Sequence, residues 1–184
     1  MAWVLLSGSM LLGLLLSTKA MGRRVRPNWL QDLHRGLSGL AVAFVAVHVA
    51  TAVADTFVHF GLADVTVPFA SGWRTIAIAW GIVSMYLLVA VEASSFVRKH
   101  LPKGSWRKLH YLSFPLFVTA TVHGFTAGPD TATTAGIAAA TLVSGGIVAL
   151  TGMRIKDEID KATTVERPLD PPAEPAAAIW RPRR

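Results

Sequence analysis

Four of the six histidines, His34, His48, His110 and His123, lie in or at the edge of long apolar runs. Ionisable side chains at such positions are costly, and they generally face a bundle interior or a functional site. A neutral imidazole is also a good ligand for transition metals and for haem iron. The chain has no cysteine, which excludes iron–sulfur clusters, thiolate zinc sites and c-type haem attachment. Spacing is as informative as residue type. His34 and His48 are 14 residues apart, and His110 and His123 are 13 apart. At 1.5 Å per residue, each pair spans ~20 Å along a helix. On an ideal helix 14 residues return to within ~40° of the starting face, whereas 13 end ~140° away. Phe114-Pro115 lies between His110 and His123, and a proline there would kink or rewind that helix.

The elements that carry these histidines are apolar blocks. The composition is 52% hydrophobic and 16% charged, against roughly 25% charged for a soluble domain. Five blocks stand out: Ala2–Thr18, Leu33–Ala54, Thr75–Val97, Leu109–Ala127 and Ala135–Gly152. Each approaches or reaches the ~20 residues that cross a bilayer as a helix. Only Arg35 and Glu92, among all Asp, Glu, Lys and Arg residues, fall inside them. The remaining charges sort by loop. Lys19, Arg23, Arg24 and Arg26 precede the second block. Arg98, Lys99, Lys103, Arg107 and Lys108 lie before the fourth, whereas the last link carries only Asp130. The net charge of +7 is therefore a topology signal and not a nucleic-acid surface. It places both basic loops and the C-terminus in the cytoplasm and the N-terminus outside. The first block has its basic residues after the apolar run, the reverse of a signal peptide. Trp73 and Trp106 stand at helix entrances, as interfacial aromatics do. The expected architecture is an all-α integral membrane bundle of about five transmembrane helices. Residues 1–152 form the membrane domain, and the tail 153–184, with five prolines after Pro168 inclusive, is a short helical extension followed by disorder.

This topology makes the second and fourth blocks parallel. His34 and His110 then share a depth near the cytoplasmic face, and His48 and His123 share one toward the outside. A zinc or copper site calls for three or four ligands at one level. Two imidazoles per level match the two axial positions of a haem iron. Histidines that merely bridge helices by hydrogen bonds are the competing reading. That would make the chain a haem-free scaffold; a metal-ion transporter built on His48, His123 and Glu92 is a third possibility, disfavoured by the depth of Glu92. His59 and His100 read as solvated loop residues. Gly36, Gly39, Gly124 and Gly128 would let a flat macrocycle approach the helices, or would pack helix on helix. Arg35 and Arg107 suit haem propionates and equally suit a positive inner face. Glu92 reads as an ion-pair partner of the basic loop that begins at Arg98, with proton handling as the alternative.

The segments Leu33-His34-Arg35-Gly36 through His48, and Trp106-Arg107-Lys108-Leu109-His110 through His123-Gly124, resemble the ferric-reductase-like transmembrane domain family. Asp64-Val65-Thr66-Val67-Pro68-Phe69 followed by Trp73-Arg74 is similar to bacterial single-domain members. The resemblance covers about residues 1–152. It implies an inner haem b held by His34 and His110 and an outer haem b held by His48 and His123. It also implies electron passage across the plasma membrane. The larger oxidases of the family have six helices and continue into FAD- and NADPH-binding domains. Here there is neither a G-x-G-x-x-G fingerprint nor a phosphate loop, so no flavin or nicotinamide site is expected in this chain. The expected donor is a separate cytoplasmic flavin reductase or a membrane quinol. The expected acceptor is ferric iron or an extracytoplasmic flavoprotein. Membrane lipid is the other partner, and nucleic acid is not one.

The topology is testable directly. A reporter fused after Arg184 should report cytoplasm, and one inserted near Asp130 should report the outside. An external signal from the Arg184 fusion would reverse the orientation.

Overall fold

The computed structural model describes residues 1–18, 27–102, 104–128 and 133–166. Among these residues every regular element is a helix: α1 (Ala2–Thr18), α2 (Pro27–Ala54), α3 (Leu62–Thr66), α4 (Thr75–Phe96), α5 (Ser105–His110), α6 (Ser113–Ala127) and α7 (Thr134–Glu166). Lys19, Arg23, Arg24, Arg26, Lys103, Asp130 and the proline-rich end of the tail lie outside the described residues. Three helices are long and apolar enough to cross a membrane: α2, α4 and α7. The chain is a membrane protein. At 17 and 15 residues, α1 and α6 are apolar but shorter. Hydroxyls in these helices are hidden on their own backbones, as a low-dielectric surrounding demands. Ser7 donates to the Trp3 carbonyl at 2.7 Å, Thr119 to Pro115 at 2.9 Å and Thr121 to Phe117 at 2.7 Å.

Two boundaries differ from the sequence reading in ways that matter for the histidines. The second block starts earlier, at Pro27, whose missing N–H costs nothing in a first helical turn. The fourth block is not one helix. His110 is the last residue of α5 and His123 lies in α6, with Tyr111 and Leu112 between them. Pro115 has no N–H to give the Tyr111 carbonyl, which instead accepts from Phe114 N at 3.1 Å. Tyr111 (φ −65°, ψ −15°) and Leu112 (φ −61°, ψ −12°) are wound as a 3₁₀ turn. Each such residue rotates the chain by about 120° rather than about 100°, and so reduces the phase error between His110 and His123.

Packing is uneven. α1 lies against α2 and α4 against α6, while α7 rests chiefly on α1. The core gathers Met10 and Leu14 of α1, Phe117 of α6 and Ile147 of α7. Trp3 adds an indole hydrogen bond to Thr121 Oγ1 at 2.9 Å. By contrast α2 barely touches α6. Only 6% of the apolar stretch of α2 is buried, against 28% for α4. A slot therefore runs between α2 and the α5–α6 unit. At its C-terminal end α7 continues past Gly152 to Glu166 as one helix. There Lys161 bonds Glu158 at 2.9 Å and holds its carboxyl below the ordinary range. The outer connection from Asp55 to Arg74 is pinned to α4 by a hydrogen bond from Tyr86 to the Thr66 carbonyl.

Candidate functional site

The slot between α2 and α5–α6 is where the four histidines meet. His34 and His110 face each other with ring centres 6.1 Å apart and planes at 74°. His48 and His123 do the same at 6.2 Å and 68°. Within each pair no hydrogen bond joins the rings. A direct N–H···N bond would bring the centres to about 5 Å, so these histidines do not bridge helices through one another.

One imidazole of each pair is docked on a neighbouring helix by the same device. His34 Nδ1 lies 2.9 Å from the Ser9 carbonyl of α1, and Ser9 Oγ is 3.1 Å away. Ser9 Oγ is itself held by Ser38 Oγ at 2.7 Å. His123 Nδ1 lies 2.8 Å from the Ala77 carbonyl of α4. A carbonyl accepts only, so Nδ1 carries the proton and Nε2 is left with its lone pair free. One turn beyond each carbonyl is a glycine. A Cβ on Gly13 would sit 3.3 Å from the His34 ring, and one on Gly81 would sit 2.7 Å from the His123 ring. The imidazoles thus lie almost on the backbone of the helix that anchors them. His110 is steadied differently: Trp106 stacks on it at 5.1 Å and Ser95 Oγ is 3.5 Å from its Nδ1. Trp106 Nε1 donates to the same Ser95 hydroxyl at 3.3 Å.

A cavity of about 900 Å³ opens at the inner pair, lined by both imidazoles and by Ser9, Gly13, Gly39 and Glu92. Arg35, Arg98, Arg107 and Arg154 also line it. Arg98 lies over the Trp106 ring, 5.9 Å from its centre. Glu92 does not pair with it, contrary to the sequence reading: its carboxylate lines the cavity with His34 and Ser38 instead. Arg154 of α7 bonds the Tyr111 hydroxyl at 2.9 Å and covers that ring. His48 of the outer pair borders a smaller, open hollow of about 450 Å³, lined also by Thr51 and Asp55. Among the described residues nothing lies within 4 Å of a Cβ built on Gly36, Gly39 or Gly124. His59 and His100 stay on the surface.

Two imidazoles binding one metal from opposite sides fit these dimensions. An imidazole nitrogen lies roughly 1.1 Å from its ring centre, given ring bonds of ordinary length. With metal–nitrogen bonds of about 2.0 Å, the ring centres fall about 6.2 Å apart. Both pairs match. Among the described residues no group of three or more His, Asp or Glu gathers anywhere. Each level therefore offers two ligands and leaves the other positions to a cofactor of its own. The open slot, the ring separations and the anchored Nδ1 atoms of His34 and His123 all fit a haem.

The chain matches the family model described as ferric reductase like transmembrane component over residues 1–121. It belongs to that family. The matched region includes His34, His48 and His110. His123 lies just past it and stands on the geometry of the outer pair. Membership points to a membrane electron-transfer role. No curated protein and no solved structure matched the chain.

Sequence reasoning found the four histidines but missed their supports: Ser9, Gly13, Ala77, Gly81, Ser95 and the stacking role of Trp106. A faint signal existed for three of them, since Ser9, Gly13 and Gly81 are small residues in otherwise bulky apolar helices. Gly81→Ala should lower stability in detergent by about 1–3 kcal/mol through forced displacement of the His123 ring. Gly36→Ala, with open space beside it, should instead gain up to about 1 kcal/mol from helix propensity. Thermal unfolding of the two variants checks the opposite signs.

Proposed function

We propose that this chain is a transmembrane b-type cytochrome that passes electrons across the plasma membrane through two bis-histidine haems. The observation that carries this reading is the pair of facing imidazole couples at 6.1 Å and 6.2 Å. They are stacked along α2 with ~20 Å between levels. A haem held at each level would supply the one-electron chemistry. The chain's own residues do the rest. His34 and His110 hold the inner site, and His48 and His123 the outer one. The Ser9 and Ala77 carbonyls fix two of the imidazole tautomers and raise their basicity. Gly13 and Gly81 admit the rings against the backbone. Arg35 and Arg107 offer guanidinium groups to anionic substituents at the cytoplasmic rim. The lipid-facing surfaces of α2, α4 and α7 exclude water from the path, with α1 and the α5–α6 unit completing five crossings. The N-terminus is outside and the C-terminus cytoplasmic.

The donor in this reading is a separate cytoplasmic flavin reductase or a membrane quinol. The acceptor is extracytoplasmic: ferric iron or a flavoprotein. The basic inner loop, Arg98 to Lys108, suits docking of an acidic redox protein.

A reduced-minus-oxidised visible spectrum of the purified protein should show two b-type haems. His34→Ala and His110→Ala should each remove mainly the inner one, and His48→Ala and His123→Ala mainly the outer. A shared phenotype of His34→Ala and His123→Ala would contradict the pairing. Protein without haem would support a scaffold, and bound zinc or copper without haem a transporter. NADPH alone, under anaerobic conditions, should leave the haems oxidised; an added flavin reductase or quinol should reduce them. Rapid reduction by NADPH alone would reveal a nicotinamide site within this chain.

A further inference from the structure

His123 occupies a precarious place. It lies in the last turns of α6, a helix of 15 residues that ends at Ala127. The final carbonyls of any helix lack intrahelical donors, and its last turn frays first. In this helix two of those carbonyls are taken by a side chain distant in sequence. Arg74 Nη1 donates to the Thr126 carbonyl at 2.9 Å and to the Ala127 carbonyl at 3.1 Å. Those residues follow His123 by about one turn.

Arg74 is also the residue immediately before α4, the helix whose Ala77 carbonyl holds His123 Nδ1. Its backbone is left-handed, at φ +41° and ψ +49°. For an arginine this conformation is unfavourable, and such outliers persist where the surroundings over-determine them. Glycine or asparagine would relax the backbone there, but neither could reach α6. The guanidinium also lies over the Trp73 ring, 5.1 Å from its centre, and Trp73 is wedged against Phe60 at 5.9 Å. Among the described residues Arg74 makes no ion pair. Its positive charge sits on the negative end of the α6 dipole instead. The start of α4 thus grips α6 twice, through Arg74 above His123 and through Ala77 at the ring itself.

We propose that Arg74 is the positioning residue of the outer histidine pair: it clamps the frayable end of α6 to the start of α4 and so keeps His123 seated on the Ala77 carbonyl. This proposal rests on the bis-histidine reading for its effect on a haem, but the clamp itself does not. Arg74 touches no cofactor in this role; it acts through His123.

The test uses Arg74→Ala and Arg74→Lys in the full-length protein, with two readouts. The first is amide hydrogen exchange over residues 124–128, which should accelerate on the order of tenfold in Arg74→Ala as the charge-assisted bonds are lost. The second is the low-spin ferric electron paramagnetic resonance spectrum. The outer signal should broaden or split in Arg74→Ala while the inner signal stays unchanged. Arg74→Lys, which keeps the charge and a donor, should recover part of both effects. Wild-type exchange together with an unaltered outer signal would overturn the proposal, as would equal disturbance of both signals. Wild-type protein that holds no haem, yet shows accelerated exchange in Arg74→Ala, would overturn the bis-histidine reading and leave the clamp standing.

Discussion

An imidazole ring among membrane helices has two polar nitrogens to satisfy in surroundings that offer almost no partners. Here the Nδ1 atoms of His34 and His123 are spent on a main-chain carbonyl of an adjacent helix. That carbonyl already belongs to a helical hydrogen-bond ladder and uses its second lone pair. The imidazole must come very close to reach it, and only a glycine one turn on leaves room. Ser9 with Gly13 on α1, and Ala77 with Gly81 on α4, are two instances of one solution at opposite depths. With Nδ1 committed, tautomer and ring orientation are set together. A free Nε2 is directed by the same contact that holds the helices in register.

The rest of the bundle can be understood as what this docking requires. α1 is tied to α2 at the inner level and α4 to α6 at the outer level, so the helices associate as two pairs. The faces of α2 and α6 that carry the histidines are held apart, not packed. Ordinary helix pairs close such a gap with interdigitated side chains. Here α2 is left with little protein around it, and small residues such as Gly39 border the open side. A bundle built this way is incomplete as a packing problem, and the proposed haems are the groups that would complete it.

Inner and outer sites differ in their electrical setting. The inner cavity has arginines from four segments at its rim, with Glu92 as a single carboxylate within. Trp106 and Tyr111 lie beneath two of those cations and keep them in place. The outer site lacks such a rim and is more open, and its order comes from the short connections at the ends of α4 and α6. The end of the bundle that bears the inner pair presents a cationic surface. The opposite end presents the Asp55–Arg74 connection, which carries Asp55, Asp64 and Arg74 and exposes Phe57 and Phe69.

The chain's sequence by itself determined the helical class, the membrane setting and the depth at which each histidine lies. Those follow from local quantities: run length of apolar residues, where the charges fall, and a rise per residue that hardly varies. It also identified the four histidines, because an ionisable residue in an apolar run is conspicuous at any position. The break at Tyr111 and Leu112 was half legible, since Pro115 announced a defect but not its form. What only the tertiary structure decided is which neighbours support the imidazoles. Ser9, Ala77, Gly81 and Arg74 act across gaps of 25 to 53 residues, through main-chain carbonyls that every residue possesses and through the absence of a side chain. The carbonyls leave no mark in a pattern of residue types, and the small residues leave only a faint one. The ion pair expected between Glu92 and Arg98 failed for the same reason: nearness along the chain did not reveal that a cavity lay on one side of the helix and a tryptophan ring on the other.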